Sequence, residues 1–181
     1  ADEATAIGLD AAGNIYMTGV FEDSMEVSDS PSEYVKSAGW KDIFLAKYNA
    51  DGDKEWAFSF GNERWDRGWS MAVSPAGESY IGGAFGKDVD FDPGPGSTVL
   101  TSNTAGFWLD GYLAKYDTDG KLLWARHLLT ARNRNASQSA TLFAIHGMHI
   151  DANNDLLIAG ALWDTVWFSP TTMVVSQTAL R

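Results

Sequence analysis

The chain has 181 residues, 45% of them hydrophobic, which is enough to bury a sizeable core and excludes a disordered segment. Thirteen Lys and Arg against twenty-four Asp and Glu leave a net charge of −11, which repels phosphate backbones and anionic membrane surfaces and argues against a nucleic-acid partner. The absence of Cys excludes a disulfide framework and a thiolate nucleophile or metal site, and no apolar run approaches the roughly 20 residues needed to cross a bilayer.

Taken in chain order, short apolar and aromatic runs with β-branched residues alternate with Asp, Asn and Gly turn signals. This predicts strands over Thr5–Leu9, Ile15–Phe21, Ile43–Asn49 and Lys54–Phe60. The segments Asp10-Ala11-Ala12-Gly13-Asn14 and Asn49-Ala50-Asp51-Gly52-Asp53 read as tight hairpins in which Gly supplies a positive φ. No window carries a helical period.

The same pattern then repeats. Leu9-Asp10-Ala11-Ala12-Gly13-Asn14-Ile15-Tyr16 returns as Val73-Ser74-Pro75-Ala76-Gly77-Glu78-Ser79-Tyr80, and again as Ile150-Asp151-Ala152-Asn153-Asn154-Asp155-Leu156-Leu157. Leu45-Ala46-Lys47-Tyr48, followed by Asp51-Gly52 and Trp56, returns as Leu113-Ala114-Lys115-Tyr116, followed by Asp119-Gly120 and Trp124. The first block steps by 64 residues (10 to 74) and then by 77 (74 to 151), and the variable length between matched blocks is expected to be loop. A repeated four-stranded antiparallel unit is the building block of a β-propeller. The expected fold is therefore all-β, with about two and a half blades. Blades are expected over 1–68 and 69–143, the latter with long loops, and a third begins over 144–181, all within one propeller domain.

The pattern Asp-x-x-Gly-Asn-x-Tyr-x-Thr-Gly at Asp10–Gly19, with Asp42-Ile43-Phe44-Leu45-Ala46-Lys47-Tyr48 and then Asp51-Gly52 before Trp56, resembles the SBBP-type β-propeller repeat of bacterial and archaeal surface proteins. The resemblance covers nearly the whole chain and implies a secreted, multi-repeat protein. It carries no catalytic residue over. The second copy departs from the pattern at Ser74 and Glu78, and the third has Asn154 where the first has Gly13.

Antiparallel strands place the tight turns at one end of each blade and the longer links at the other. The long-loop end, formed by 22–41, 86–109 and 127–139, is where binding residues are expected. Trp65 and Trp69, in the link between the first two blades, are candidates for stacking on a saccharide. Trp40, Trp56, Trp108 and Trp124 recur across the repeat and read as packing residues. Arg126, His127, Arg132 and Arg134 form a basic patch on an acidic chain, suited to a carboxylate or an acidic neighbour, with Arg132 and Arg134 as its ligand candidates. Asp88, Asp90 and Asp92 alternate as calcium ligands would, and equally as a solvated strand edge before Pro93-Gly94. His146 and His149 are expected on opposite faces of a strand, unable to share a metal, and Asn135-Ala136-Ser137 has the form of a glycosylation sequon.

The chain has no nucleophile elbow, phosphate loop or paired metal-binding His, so it reads as non-catalytic, with no cofactor except the calcium candidate. The expected function is structural or adhesive, at the cell surface or outside the cell, with further repeats or other copies of itself as partners and an extracellular filament as one outcome. The alternative is a secreted propeller that binds or cleaves polysaccharide, using two carboxylates in the second case. Ala1 and Arg181 are expected to be internal points of a longer protein.

Overall fold

A computed structural model describes residues 1–102, 109–128 and 143–162 of the chain. The described residues contain strands and turns and no helix. Strands β1 (Glu3–Leu9), β2 (Ile15–Phe21), β5 (Asp42–Tyr48) and β6 (Lys54–Phe60) form one antiparallel sheet in the order β1-β2-β5-β6. A second sheet repeats it with β7 (Arg67–Val73), β8 (Ser79–Phe85), β11 (Asp110–Tyr116) and β12 (Leu122–Leu128). A third begins with the pair β13 (Phe143–Ile150) and β14 (Leu156–Leu162). All pairings within these sheets are antiparallel. The second sheet starts at Arg67, so the boundary expected between residues 68 and 69 falls inside β7.

The turns follow from side-chain chemistry. Asp10 Oδ1 accepts the backbone N–H of Ala12 and of Asn14, each at 2.9 Å, and Asp151 Oδ1 does the same for Asn153 and Asp155. In the second copy Ser74 Oγ accepts from Glu78 at 3.0 Å. Asn49 and Asp117 hold the second hairpin of each sheet the same way. The position with positive φ is Gly13 in the first copy, Gly77 in the second and Asn154, at 66°, in the third. Asn is the residue that enters this region most readily after Gly, so the third turn closes despite its departure from the repeat.

The long segments after β2 and β8 differ from expectation. Each contains a hairpin rather than loop alone: β3 (Ser24–Asp29) with β4 (Ser32–Lys36), and β9 (Asp88–Asp90) with β10 (Val99–Thr101). The physical reason is the alternation Met25-x-Val27 and Val89-x-Phe91, which turns apolar side chains down onto the parent sheet. Val27 and Val35 thereby cover Phe21, Phe44 and Ala46 of the first sheet. Val89 and Phe91 occupy the same place beside Phe85, Tyr112 and Tyr116 of the second.

The sheets pack face to face. Tyr16, Ile43, Leu45 and Phe60 of the first meet Met71, Ile81, Phe85 and Tyr112 of the second in one buried cluster. Leu113 and Leu128 of the second meet Ile145 of the third, with Met148 and Ile158 packed against them. Each of the first two sheets carries a Tyr–Lys–Trp row across neighbouring strands. Lys47 lies 5.5 Å over the Tyr16 ring and Lys115 lies 4.9 Å over Tyr80. Trp56 stands edge-on to Tyr16 at 6.0 Å, as Trp124 does to Tyr80 at 6.1 Å. These rows are why Lys, Tyr and Trp recur in the repeat, and Trp56 also donates from Nε1 to Thr118 O of the second sheet at 3.0 Å.

Candidate functional site

The meander brings the ends of β2, β6, β8 and β12 to the same side as the starts of β5, β7 and β11, the side that also carries the inserted hairpins. Three carboxylates are buried there: Asp42 at the head of β5, Asp110 at the equivalent position of β11, and Asp66 just before β7.

Each is tied to the links rather than offered to solvent. Asp42 Oδ2 accepts the Ala38 N–H at 2.6 Å, while its Oδ1 meets no donor among the described residues. Burial raises its pKa above the ordinary carboxylate value, against the smaller opposing effect of that amide. Asp66 accepts two backbone N–H groups, from Gly86 at Oδ1 and from Asn62 at Oδ2, both at 2.9 Å. Burial nevertheless pushes its pKa up to about 7; the two amides oppose the shift and the neighbouring charges of Asp42 and Glu63 add to it. Asp110 Oδ2 takes the Ser102 hydroxyl at 2.9 Å and stands 2.9 Å from His127 Nε2, an ion pair when the imidazole is protonated. Asn62 completes the group, donating from Nδ2 to Gly86 O and accepting the Arg64 N–H at 2.8 Å. This network joins the link between the first two sheets to the end of β8.

Outside it lies an aromatic edge. Lys41 and Trp65 form an isolated parallel bridge, closed by Asp66 N–H to Lys41 O at 2.7 Å. This sets Trp40 against Trp65 with ring centroids 6.2 Å apart, and both rings are solvent-facing, at 57% and 42% exposure. The Arg67 guanidinium lies 4.9 Å over the Trp65 ring. Trp40 therefore pairs at the surface instead of packing between sheets, where its recurrence in the sequence had pointed.

The other expected residues scatter. Trp69 is not in the link but on β7, at the bulge between Gly68 and Ser70, half-buried. Asp90 Oδ1 accepts the Asp92 and Thr98 amides, and Asp92 Oδ1 accepts that of Gly94, so these two carboxylates brace the loop between β9 and β10 while Asp88 is exposed. Among the described residues no group of three or more His, Asp or Glu side chains is placed to hold a metal ion. His146 occupies the bulge of β13 and, like His149, is exposed. Arg126 lies over the Trp124 ring at 5.5 Å. Arg132, Arg134, Trp108 and the Asn135 sequon lie outside the described residues. Among the described residues no helix is long and apolar enough to cross a membrane.

Sequence reasoning missed Asp42, Asp66 and Asp110 as a group. The recurrence of Asp at the head of the third strand in both copies was the available signal; Asp66 has no counterpart that spacing alone would reveal.

No family model matches the chain. Over 105 residues, 56% of the chain, it is 31% identical to the Regulatory protein FlaEY of Caulobacter vibrioides, and the match takes up 10% of that protein. The matched part of the chain thus spans about a tenth of that protein's length.

Proposed function

We propose that this chain is a run of β-propeller blades of the SBBP type, belonging to a secreted surface protein and serving a structural or adhesive role, as in an extracellular filament. The observation that carries the reading is the succession of first strands. β1 lies against β7 and β7 against β13, while the sheets stack face to face behind them. Such a succession supports reading the sheets as blades set around a common axis. The match to a tenth of a much longer protein suits a module embedded in a larger chain. A non-catalytic role is supported by the burial of Asp42, Asp66 and Asp110, whose oxygens hold backbone amides, Ser102 and His127. Electron cryo-microscopy of the native protein tests it. Radial arrays of four-stranded blades outside the cell, closed or joined end to end, are expected; sheets without a common axis, or a protein confined to the cytoplasm, overturn it.

A second reading, saccharide binding, is favoured by one feature, the exposed Trp40–Trp65 pair with Arg67 at its side. Exposed aromatic faces suit stacking on sugar rings. Loss of polysaccharide retention on affinity gels by Trp40→Ala and Trp65→Ala supports this reading, and retention equal to that of the unaltered chain removes it.

A further inference from the structure

The aromatic edge carries a charge as well as two exposed rings. From the bridge at Trp65 the backbone runs into β7 at Arg67, and along such a segment successive side chains alternate in direction. Asp66 turns inward, where it takes the amides of Asn62 and Gly86. Trp65 and Arg67 therefore emerge together on the other side, and the guanidinium comes to lie 4.9 Å over the indole. Trp40 meets the same indole edge-on. Because Asp66 is clamped between them, Trp65 and Arg67 are positioned by the fold and need no ligand to order them.

The charge of Arg67 is uncompensated. Its Nε is shut off from water and meets no acceptor, and its Nη groups, which bond to none of the described residues, remain at the surface of this half-buried side chain. The neighbouring cations have anions: Lys41 lies 3.2 Å from Glu22, and Lys87 pairs with Glu63. Arg67 enters no ion pair among the described residues. Asp66, the carboxylate next to it in the chain, is committed to its two amides on the buried side. A planar guanidinium held on an aromatic ring, with outer N–H groups unspent, is suited to receive a carboxylate.

We infer that this edge recognises a carboxylated saccharide, a uronic acid unit that stacks on the Trp40–Trp65 pair while its carboxylate pairs with the Arg67 Nη groups. In a uronic acid the carboxylate is attached directly to the sugar ring, so one unit carries the apolar face and the anion side by side, as the indole and guanidinium are. A neutral sugar offers the face and leaves Arg67 without an anion; an acidic peptide offers the anion without the ring. With a net charge of −11 the chain repels anionic polymers elsewhere, so binding one requires a local contact of this kind. The inference rests on the saccharide reading and adds to it the charge of the ligand.

Polygalacturonate and its methyl-esterified form share their rings and differ in the free carboxylate, whereas polyglutamate has carboxylates and no rings. In titration calorimetry the unaltered chain is expected to bind polygalacturonate roughly tenfold or more tighter than the ester, and polyglutamate not at all. Arg67→Gln is expected to lower polygalacturonate to the level of the ester. Arg67→Lys, which keeps the charge and loses the planar fork, should fall between. Trp65→Ala is expected to lose both saccharides, and Lys87→Gln, which removes a cation that is already paired, to change neither. Circular dichroism establishes that each variant is folded, and the comparison of polymer with ester needs no variant at all. A preference that survives Arg67→Gln, or polyglutamate bound as tightly as polygalacturonate, overturns the inference. Equal binding of polygalacturonate and ester that Trp65→Ala abolishes overturns the acidic ligand alone and leaves the saccharide reading standing. Binding of neither overturns both.

Discussion

The Tyr116 hydroxyl donates to the backbone carbonyl of Phe91 at 2.9 Å, and at the equivalent place in the first sheet Tyr48 donates to Val27 at 3.0 Å. One hydrogen bond thus pins each inserted hairpin to its parent sheet. The two differ in depth, since Tyr116 is fully buried between sheets and Tyr48 is partly exposed. Burial also raises the Tyr116 hydroxyl well above its usual titration range, with the charges of Asp92 and Asp90 adding to the effect, so it remains a donor. Tyr116→Phe leaves a carbonyl without its partner where water does not reach and is expected to cost about 1–2 kcal/mol. Tyr48→Phe, whose carbonyl can turn to solvent, is expected to cost less. Chemical denaturation of both variants checks the order.

Gly19 and Gly83 occupy one repeat position, opposite the bulge of the preceding strand. A Cβ there would collide with the carbonyl oxygen of Glu3 in the first sheet and of Arg67 in the second. Backbone cannot step aside as a flexible side chain can, so Gly83→Ala is expected to lose more than about 3 kcal/mol or to fail to fold. Among the described residues nothing lies within 4 Å of a Cβ placed on Gly147, and Gly147→Ala should stay within about 1 kcal/mol. Equal melting temperatures for the two variants would contradict this account.

Asp66 sets a pH dependence with a definite sign. Its folded pKa is raised to about 7 from the model-compound value of 3.8, so between these limits the folded state binds more protons than the unfolded one. Its contribution is present in full below about pH 4 and is lost as pH rises through about 7, a loss on the order of 4 kcal/mol. Asp66→Asn removes the titration. Subtracting its stability profile from that of the unaltered chain should leave a slope confined to this window, and a difference independent of pH would show that Asp66 is ionised throughout.

Asp90 and Asp92 predict the response to calcium. Asp90 Oδ1 already accepts two amides, and although burial raises its pKa, the hydrogen bonds from Thr98 and Asp92 outweigh this and leave it lowered. The carboxylate is thus satisfied by its own loop. Thermal unfolding is expected to be the same with calcium as with a chelator, whereas Asp90→Ala should cost about 1–2 kcal/mol by releasing both amides. A melting temperature that climbs with calcium would assign the ion to this loop.

Much of the architecture was legible in the sequence because its determinants are local. Asp10, Gly13, Gly52 and Asn154 specify turns through their own side chains and φ preferences. Alternation along Ile15–Phe21 and Lys54–Phe60 then places strands whose bounds match those expected. The β9–β10 hairpin was missed because its strands are three residues each, too short to show a period; the apolar residues of both inserted hairpins matter only once a sheet lies beneath them. The candidate site was less legible still. Asp42, Asp66 and Asp110 lie far apart in the chain, and their burial arises from sheets stacking. The pairing of Trp40 with Trp65 depends on a single bridge between Lys41 and Trp65.

The sequence by itself determined the repeat unit, its tight turns and most of its strands, since each depends on residues close together in the chain. Only the tertiary structure decided which carboxylates lose their water and which tryptophans face solvent. These are properties of surfaces, and a surface is buried or free according to what packs against it, which no local pattern records.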